Sequence, residues 1–120
     1  MDRLALPLGT RLGAMEITRV HAIGGFGIVY QARDHALDRD VAIKEFLPTH
    51  LVCRGSGPRV VVRSATHART FVLALEAFLN EAKLLARFAH PAMVKVYSSW
   101  KANGTAYMAM PYLRGPTLWD

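Results

Sequence analysis

Residues 21–30 read H-A-I-G-G-F-G-I-V-Y, and the reading of this glycine cluster decides the fold. Aligned on Gly27 it runs Ala22-x-Gly24-x-x-Gly27-x-Val29, a glycine-rich phosphate loop with alanine in the place of the first glycine. Such a motif is weak by itself, so its flanks must arbitrate. A dinucleotide-binding loop leads from a strand into a helix whose N-terminus meets the pyrophosphate. Here the next segment, Gly27–Arg33 (G-I-V-Y-Q-A-R), is β-branched and aromatic and reads as a strand. The G-K-[ST] of a Walker loop is missing. The preceding segment, Met15–Ile23, is also strand-like, with Ile17 and Val20 as core anchors. Strand, glycines, strand makes a hairpin flap whose backbone N–H groups can close over phosphates. A plain glycine-rich hairpin fits the same residues.

The rest of the chain extends this pattern. Asp34–Asp40 is charged and turn-like, and Val41–Phe46 (V-A-I-K-E-F) is a third strand with Lys44 inside an apolar run. Pro48 ends that strand, Arg54–Pro58 (R-G-S-G-P) is a turn, and Arg59–Arg63 (R-V-V-V-R) is a short extra strand. From about Ala68 the period changes. Phe71, Leu75, Phe78, Ala82 and Leu85 recur at helical spacing, which predicts an amphipathic helix to about Phe88. Ala89-His90-Pro91 closes it, because proline disfavours helix in the residue before it. Met93–Trp100 and Thr105–Tyr112 read as two more strands, joined at Asn103-Gly104, where both residues tolerate positive φ.

Two charged residues stand out against these elements. A lysine in the middle of an apolar strand is costly to bury without a partner, although Lys44 can also snorkel to water. Glu81, on the apolar helix, can pair with Lys83 or Lys44, or stay exposed. Taken singly, each has an ordinary structural explanation. Taken together and in this order, they point to a phosphate-binding site.

Composition narrows the class. The 120 residues suffice for one small domain, and 52% are hydrophobic, which argues against intrinsic disorder. Fifteen Lys and Arg against nine Asp and Glu give a net charge of +6. The basic residues are scattered, so a solvated basic face is the better reading and no nucleic-acid partner is expected. Cys53 is the single cysteine, which excludes an internal disulfide and fits a reducing cytoplasm. The five histidines show no metal-ligand spacing, so no metal site is expected. No signal peptide or membrane segment is read in the chain.

With these features in order, the sequence resembles the protein kinase family, specifically the N-terminal lobe of a bacterial Ser/Thr kinase. G-G-F-G-I-V-Y looks like the family's phosphate-covering loop and V-A-I-K-E like its third strand. F-L-N-E-A-K-L-L-A-R-F-A-H-P looks like its helix, and N-G-T-A-Y-M-A-M-P-Y-L-R-G-P-T-L like its last hairpin and hinge. The likeness runs from about Met15 to Asp120. It implies an α+β fold: a five-stranded antiparallel sheet, one main helix, and a short extra strand in the insert before that helix. Residues 1–13 would be a lead-in and residues 14–120 the lobe.

The resemblance also implies roles. Lys44 would hold the α- and β-phosphates of ATP and pair with Glu81. Ala22, Ile23, Gly24, Gly25, Phe26 and Gly27 would form the flap, and Val29 and Ala42 would sandwich the adenine. Met110 would be the gatekeeper, and the Pro111 carbonyl and Leu113 N–H would bond the adenine edge. Proline at position 111 departs from the acidic residue common there but keeps the carbonyl. Ala22 would weaken ATP binding without abolishing it. Leu85 would face the rest of a catalytic core, and the segment Leu47–Arg69 resembles an insert of one bacterial subgroup.

Catalysis in this family needs a His-Arg-Asp, an Asn five residues after its Asp, and an Asp-Phe-Gly, and none of these occurs in the 120 residues. The expectation is a lobe that grips ATP and is inactive alone, with Mg²⁺ bound only when a C-terminal lobe supplies its ligands. Its partners would be a protein substrate or a partner kinase lobe. The alternative is a non-catalytic kinase-like interaction or regulatory module.

Overall fold

The computed structural model describes residues 4–87 and 95–112. The elements in chain order are β1 (Arg11–Leu12), β2 (Met15–Ile23), β3 (Gly27–Asp34), β4 (Arg39–Phe46), β5 (Val52–Arg54), β6 (Val60–Val62), α1 (Ala68–Arg87), β7 (Ser98–Ala102) and β8 (Thr105–Pro111). One antiparallel sheet runs β1-β2-β3-β4-β8-β7, and β5 and β6 pair as a separate two-stranded ribbon. The main sheet thus has six strands rather than the expected five, because Arg11–Leu12 adds an edge strand against Met15 and Glu16. The extra strand in the insert is Val60–Val62, and it has a partner, Val52–Arg54, that the pattern did not announce.

Burial follows the pleat. In β3, Ile28, Tyr30, Ala32 and Asp34 are buried and the residues between them are half-exposed. Ile28 pairs with Glu45, Tyr30 with Ile43, and Glu45 with Tyr107, and directly paired residues share a face. This row is sealed by the N-terminal lead-in, whose Leu6 N–H donates to the Tyr30 hydroxyl at 3.0 Å, and by the ribbon, whose Arg54 reaches Glu45. The opposite face takes α1. Phe46, at the end of β4, stacks on Phe71 and Phe78 with ring centroids 6.0 and 5.1 Å apart. Phe71, Phe78 and Ala82 are buried, and Leu75 and Leu85 pack partly against the core. The expected helical stripe is therefore the one that packs. Phe88 lies outside the described residues, as do Met93 and Val94. The seventh strand starts at Ser98 and runs to Ala102, two residues beyond the expected end.

The β7–β8 turn is where ribbon and sheet meet. Asn103 and Gly104 have φ of 54° and 75°, as the Asn-Gly pair predicts. The Val60 N–H donates to the Asn103 carbonyl at 2.7 Å, which brings the ribbon backbone against the turn. A Cβ on Gly104 would stand 2.5 Å from the Val60 carbonyl oxygen, so glycine is required by contact as well as by φ. Gly104→Ala should therefore lower unfolding stability by about 1–3 kcal/mol in a urea titration. An unchanged midpoint would show that the ribbon does not press on this turn.

Candidate functional site

The strand register gathers the residues singled out by the glycine motif. Ala22 lies opposite Val29, Val29 opposite Lys44, Lys44 opposite Met108, and Ala42 opposite Met110. All occupy the face that carries Phe46 and receives α1. Ala42 and Met110 are buried, while Ala22, Val29 and Lys44 are half-exposed. Pro111 ends β8 opposite Val41, and Leu113 lies outside the described residues. Ala22 needs no left-handed backbone, and β2 is irregular beside it, between Val20 and Ala22.

The flap itself is a tight hairpin. Gly24 N–H donates to the Gly27 carbonyl at 2.9 Å, leaving Gly25 and Phe26 at the tip, with Ile23 and Phe26 exposed. Its glycines are not equivalent. A Cβ on Gly27 would press into the Glu45 carbonyl, so Gly27 permits the close approach of β3 to β4. Around Gly25 nothing lies within 4 Å of an added Cβ.

Beneath the flap lies a cavity of about 370 Å³, lined by Phe26, Lys44, Phe46, His50, Phe78 and Glu81 among others. Lys44 and Glu81 share it, yet no ion pair joins them, and among the described residues neither has a hydrogen-bond or salt-bridge partner. An unpartnered ammonium on an apolar strand, below open glycine backbone, suits an anionic group set beside an apolar body. The residues present thus fit a nucleotide. Among the described residues no cluster of three His, Cys, Asp or Glu comes together to hold a metal.

Directly behind Lys44, on the other face of β4, is a second charged centre that the motifs did not reveal. Glu45 is 0% exposed and is met by four donors. Arg54 donates through its two terminal nitrogens at 2.7 and 2.9 Å, Tyr30 through its hydroxyl at 2.7 Å, and Tyr107 at 2.6 Å. Arg54 also bonds the carbonyls of Leu4 and Pro58, and the Asn103 amide donates to the Tyr107 hydroxyl at 2.9 Å. Burial alone would lower the Arg54 pKa, but hydrogen bonding and charge from Glu45 outweigh it and raise the value. Burial, reinforced by the Glu45 charge, pushes both phenols well above their ordinary 10.0.

A curled antiparallel sheet, one packed helix, a glycine flap and a strand lysine sharing a cavity with a helix glutamate define the N-terminal lobe of a protein kinase. Comparison with known proteins agrees. The chain is 37% identical over 106 residues to the probable serine/threonine-protein kinase pknA2 of Bifidobacterium longum. It is 33% identical over 103 residues to the serine/threonine-protein kinase PknD of Chlamydia trachomatis. These matches cover 88% and 86% of this chain but only 12% and 9% of those proteins. Among solved structures, the apo form of PpkA-294 matches with TM-score 0.92 and 44% identity, over 96% of this chain and 41% of that one. The PknI kinase domain of Mycobacterium tuberculosis shares the fold at TM-score 0.62 and 20% identity, over 91% of this chain and 36% of that one. No family model matches. The chain belongs to the Ser/Thr protein kinase family and has the fold of its N-terminal lobe.

The buried phenols give a pH signature. Their raised values mean that the folded chain holds these protons more tightly than the unfolded chain does. The associated stability is intact below pH about 10 and is lost as pH rises above it, by up to about 1.4 kcal/mol per pH unit for each phenol. Urea midpoints measured from about pH 8 to about pH 11 should fall steeply at the alkaline end. Tyr30→Phe should be weaker at about pH 8 but show a shallower alkaline decline. A flat profile in the unaltered chain would contradict the phenol–carboxylate network.

Proposed function

We propose that this chain is the ATP-binding lobe of a Ser/Thr protein kinase. The observation that carries the reading is Lys44, an ammonium without a partner among the described residues, in register with Val29 and Met108 and lining a cavity shared with Glu81 under the glycine flap. When bound, ATP supplies the phosphoryl group that family members transfer to protein Ser or Thr. The chain's own residues have simpler tasks. Lys44 balances phosphate charge, the Gly24–Gly27 hairpin offers backbone N–H groups, and Val29, Ala42 and Met110 form an apolar wall for the base. The Pro111 carbonyl and Leu113 N–H would read its edge. Glu81 would steady Lys44 if the helix brought it closer.

The 120 residues contain no His-Arg-Asp and no Asp-Phe-Gly, so proton positioning and Mg²⁺ ligation must come from groups beyond them. A protein substrate and a partner lobe enter the proposal on the same ground. No helix among the described residues is long and apolar enough to cross a membrane. The need for ATP and the free Cys53 support a cytoplasmic site. A second reading, a kinase-like interaction or regulatory module, is favoured by the separation of Lys44 from Glu81.

Titrating ATP against the chain and its Lys44→Met variant distinguishes the two. A loss of about tenfold or more in affinity is expected if Lys44 meets phosphate. Binding that ignores the substitution would favour the module. At the flap, Ala22→Gly should tighten ATP binding by restoring backbone freedom where β2 enters the hairpin. An unchanged or weaker affinity would show that this position does not limit the flap.

A further inference from the structure

The segment that follows β4 holds the tip of the flap. Leu47 N–H donates to the Phe26 carbonyl at 2.9 Å, and Thr49 N–H donates to the Gly25 carbonyl at 3.0 Å. The Thr49 hydroxyl reaches that same Gly25 oxygen at 3.3 Å. Thr49 is itself fixed from behind, because Arg63 donates to its carbonyl at 2.7 Å while Arg63 N–H bonds the Leu51 carbonyl at 2.8 Å. The Phe26 ring meets the His50 ring edge-on, with centroids 5.7 Å apart. The insert is in turn tied to the sheet by the buried Arg54–Glu45 pair. An unbroken chain of contacts therefore runs from the core of the sheet to the flap tip.

The consequence lies in the Gly25–Phe26 peptide. Gly25 has no Cβ and open space around it, so by itself this peptide unit can rotate to point its carbonyl to either side of the hairpin. A trans amide holds N–H and C=O on opposite sides. Fastening the Gly25 carbonyl to Thr49 therefore directs the Phe26 N–H, the donor at the flap tip, away from the insert.

We propose that Thr49 is a positioning residue for the glycine flap. Its N–H and hydroxyl select one orientation of the Gly25–Phe26 peptide while the Leu47 amide holds the following peptide through the Phe26 carbonyl, so the insert sets how the flap meets a phosphate chain. The assignment rests on the nucleotide-binding reading above. It predicts that Thr49 matters for the phosphates and not for the base.

The test compares the unaltered chain with Thr49→Val and Thr49→Ser, measuring ATP affinity, adenosine affinity and hydrogen exchange of the flap amides. Thr49→Val should weaken ATP about threefold to tenfold and adenosine less than about twofold, and should speed exchange at Gly25–Gly27. Thr49→Ser, which keeps the hydroxyl, should restore all three. With ATP binding intact, equal losses for ATP and adenosine, no loss, unchanged flap exchange, or failure of serine to rescue overturns the assignment alone. Absence of ATP binding by the unaltered chain overturns the nucleotide reading itself, and this assignment with it.

Discussion

A carboxylate shut away from water is tolerable only when its lone pairs are met by donors and its charge by a partner. Glu45 is such a group, and the architecture is arranged around it. Tyr30 comes from β3, Tyr107 from β8 and Arg54 from the ribbon, so three separate parts of the chain must be in place before the charge is compensated. Arg54 then collects the lead-in through the Leu4 carbonyl, and Tyr30 does so through the Leu6 N–H. The lead-in and the ribbon are thereby fixed to the sheet by hydrogen bonds as well as by their buried Leu6, Val52 and Val60. Replacing one partner would strand a buried charge, which costs far more than a surface ion pair contributes.

The insert acquires its order from the same pair. Three-residue strands such as Val52–Arg54 and Val60–Val62 do not hold together in water by their own hydrogen bonds. Here Arg54 and Val60, paired beside the turn of the ribbon, fasten it to Glu45 and to the Asn103–Gly104 turn respectively. The chain between β4 and the ribbon is then short enough to be held, and its amides are free to bind the flap. A loop that would otherwise be a passive connection becomes the support of the phosphate-facing hairpin.

Local signals carried most of the fold. The strands Met15–Ile23 and Thr105–Pro111, the helix beginning at Ala68 and the Asn103-Gly104 turn are legible because period, β-branching and turn chemistry act over a few residues. The row Val29, Ala42, Lys44, Met110 was legible once the kinase pattern was recognised, since register follows from the pleat. What stayed hidden is non-local. Arg11–Leu12 is too short to show a period, and Val52–Arg54 is a strand only because Val60–Val62 lies beside it. Glu45 was hidden differently. Two adjacent charges in V-A-I-K-E-F must point to opposite faces, and nothing nearby says which of them is buried.

That adjacency is also what secures the site. A strand shifted by one residue turns every side chain to the other face. Such a shift in β4 would place the Lys44 ammonium between Tyr30, Tyr107 and Arg54, as a second buried cation beside the guanidinium. It would turn Glu45 toward the cavity, next to Glu81. Both errors carry uncompensated charge into poorly solvated places, and the observed register avoids both. An apolar residue at position 45 would leave the strand anchored by shape alone, with a weaker penalty for slipping. The buried carboxylate thus supplies register specificity to the strand that bears Lys44, and the lysine's exposure to the cavity follows from where its neighbour is held.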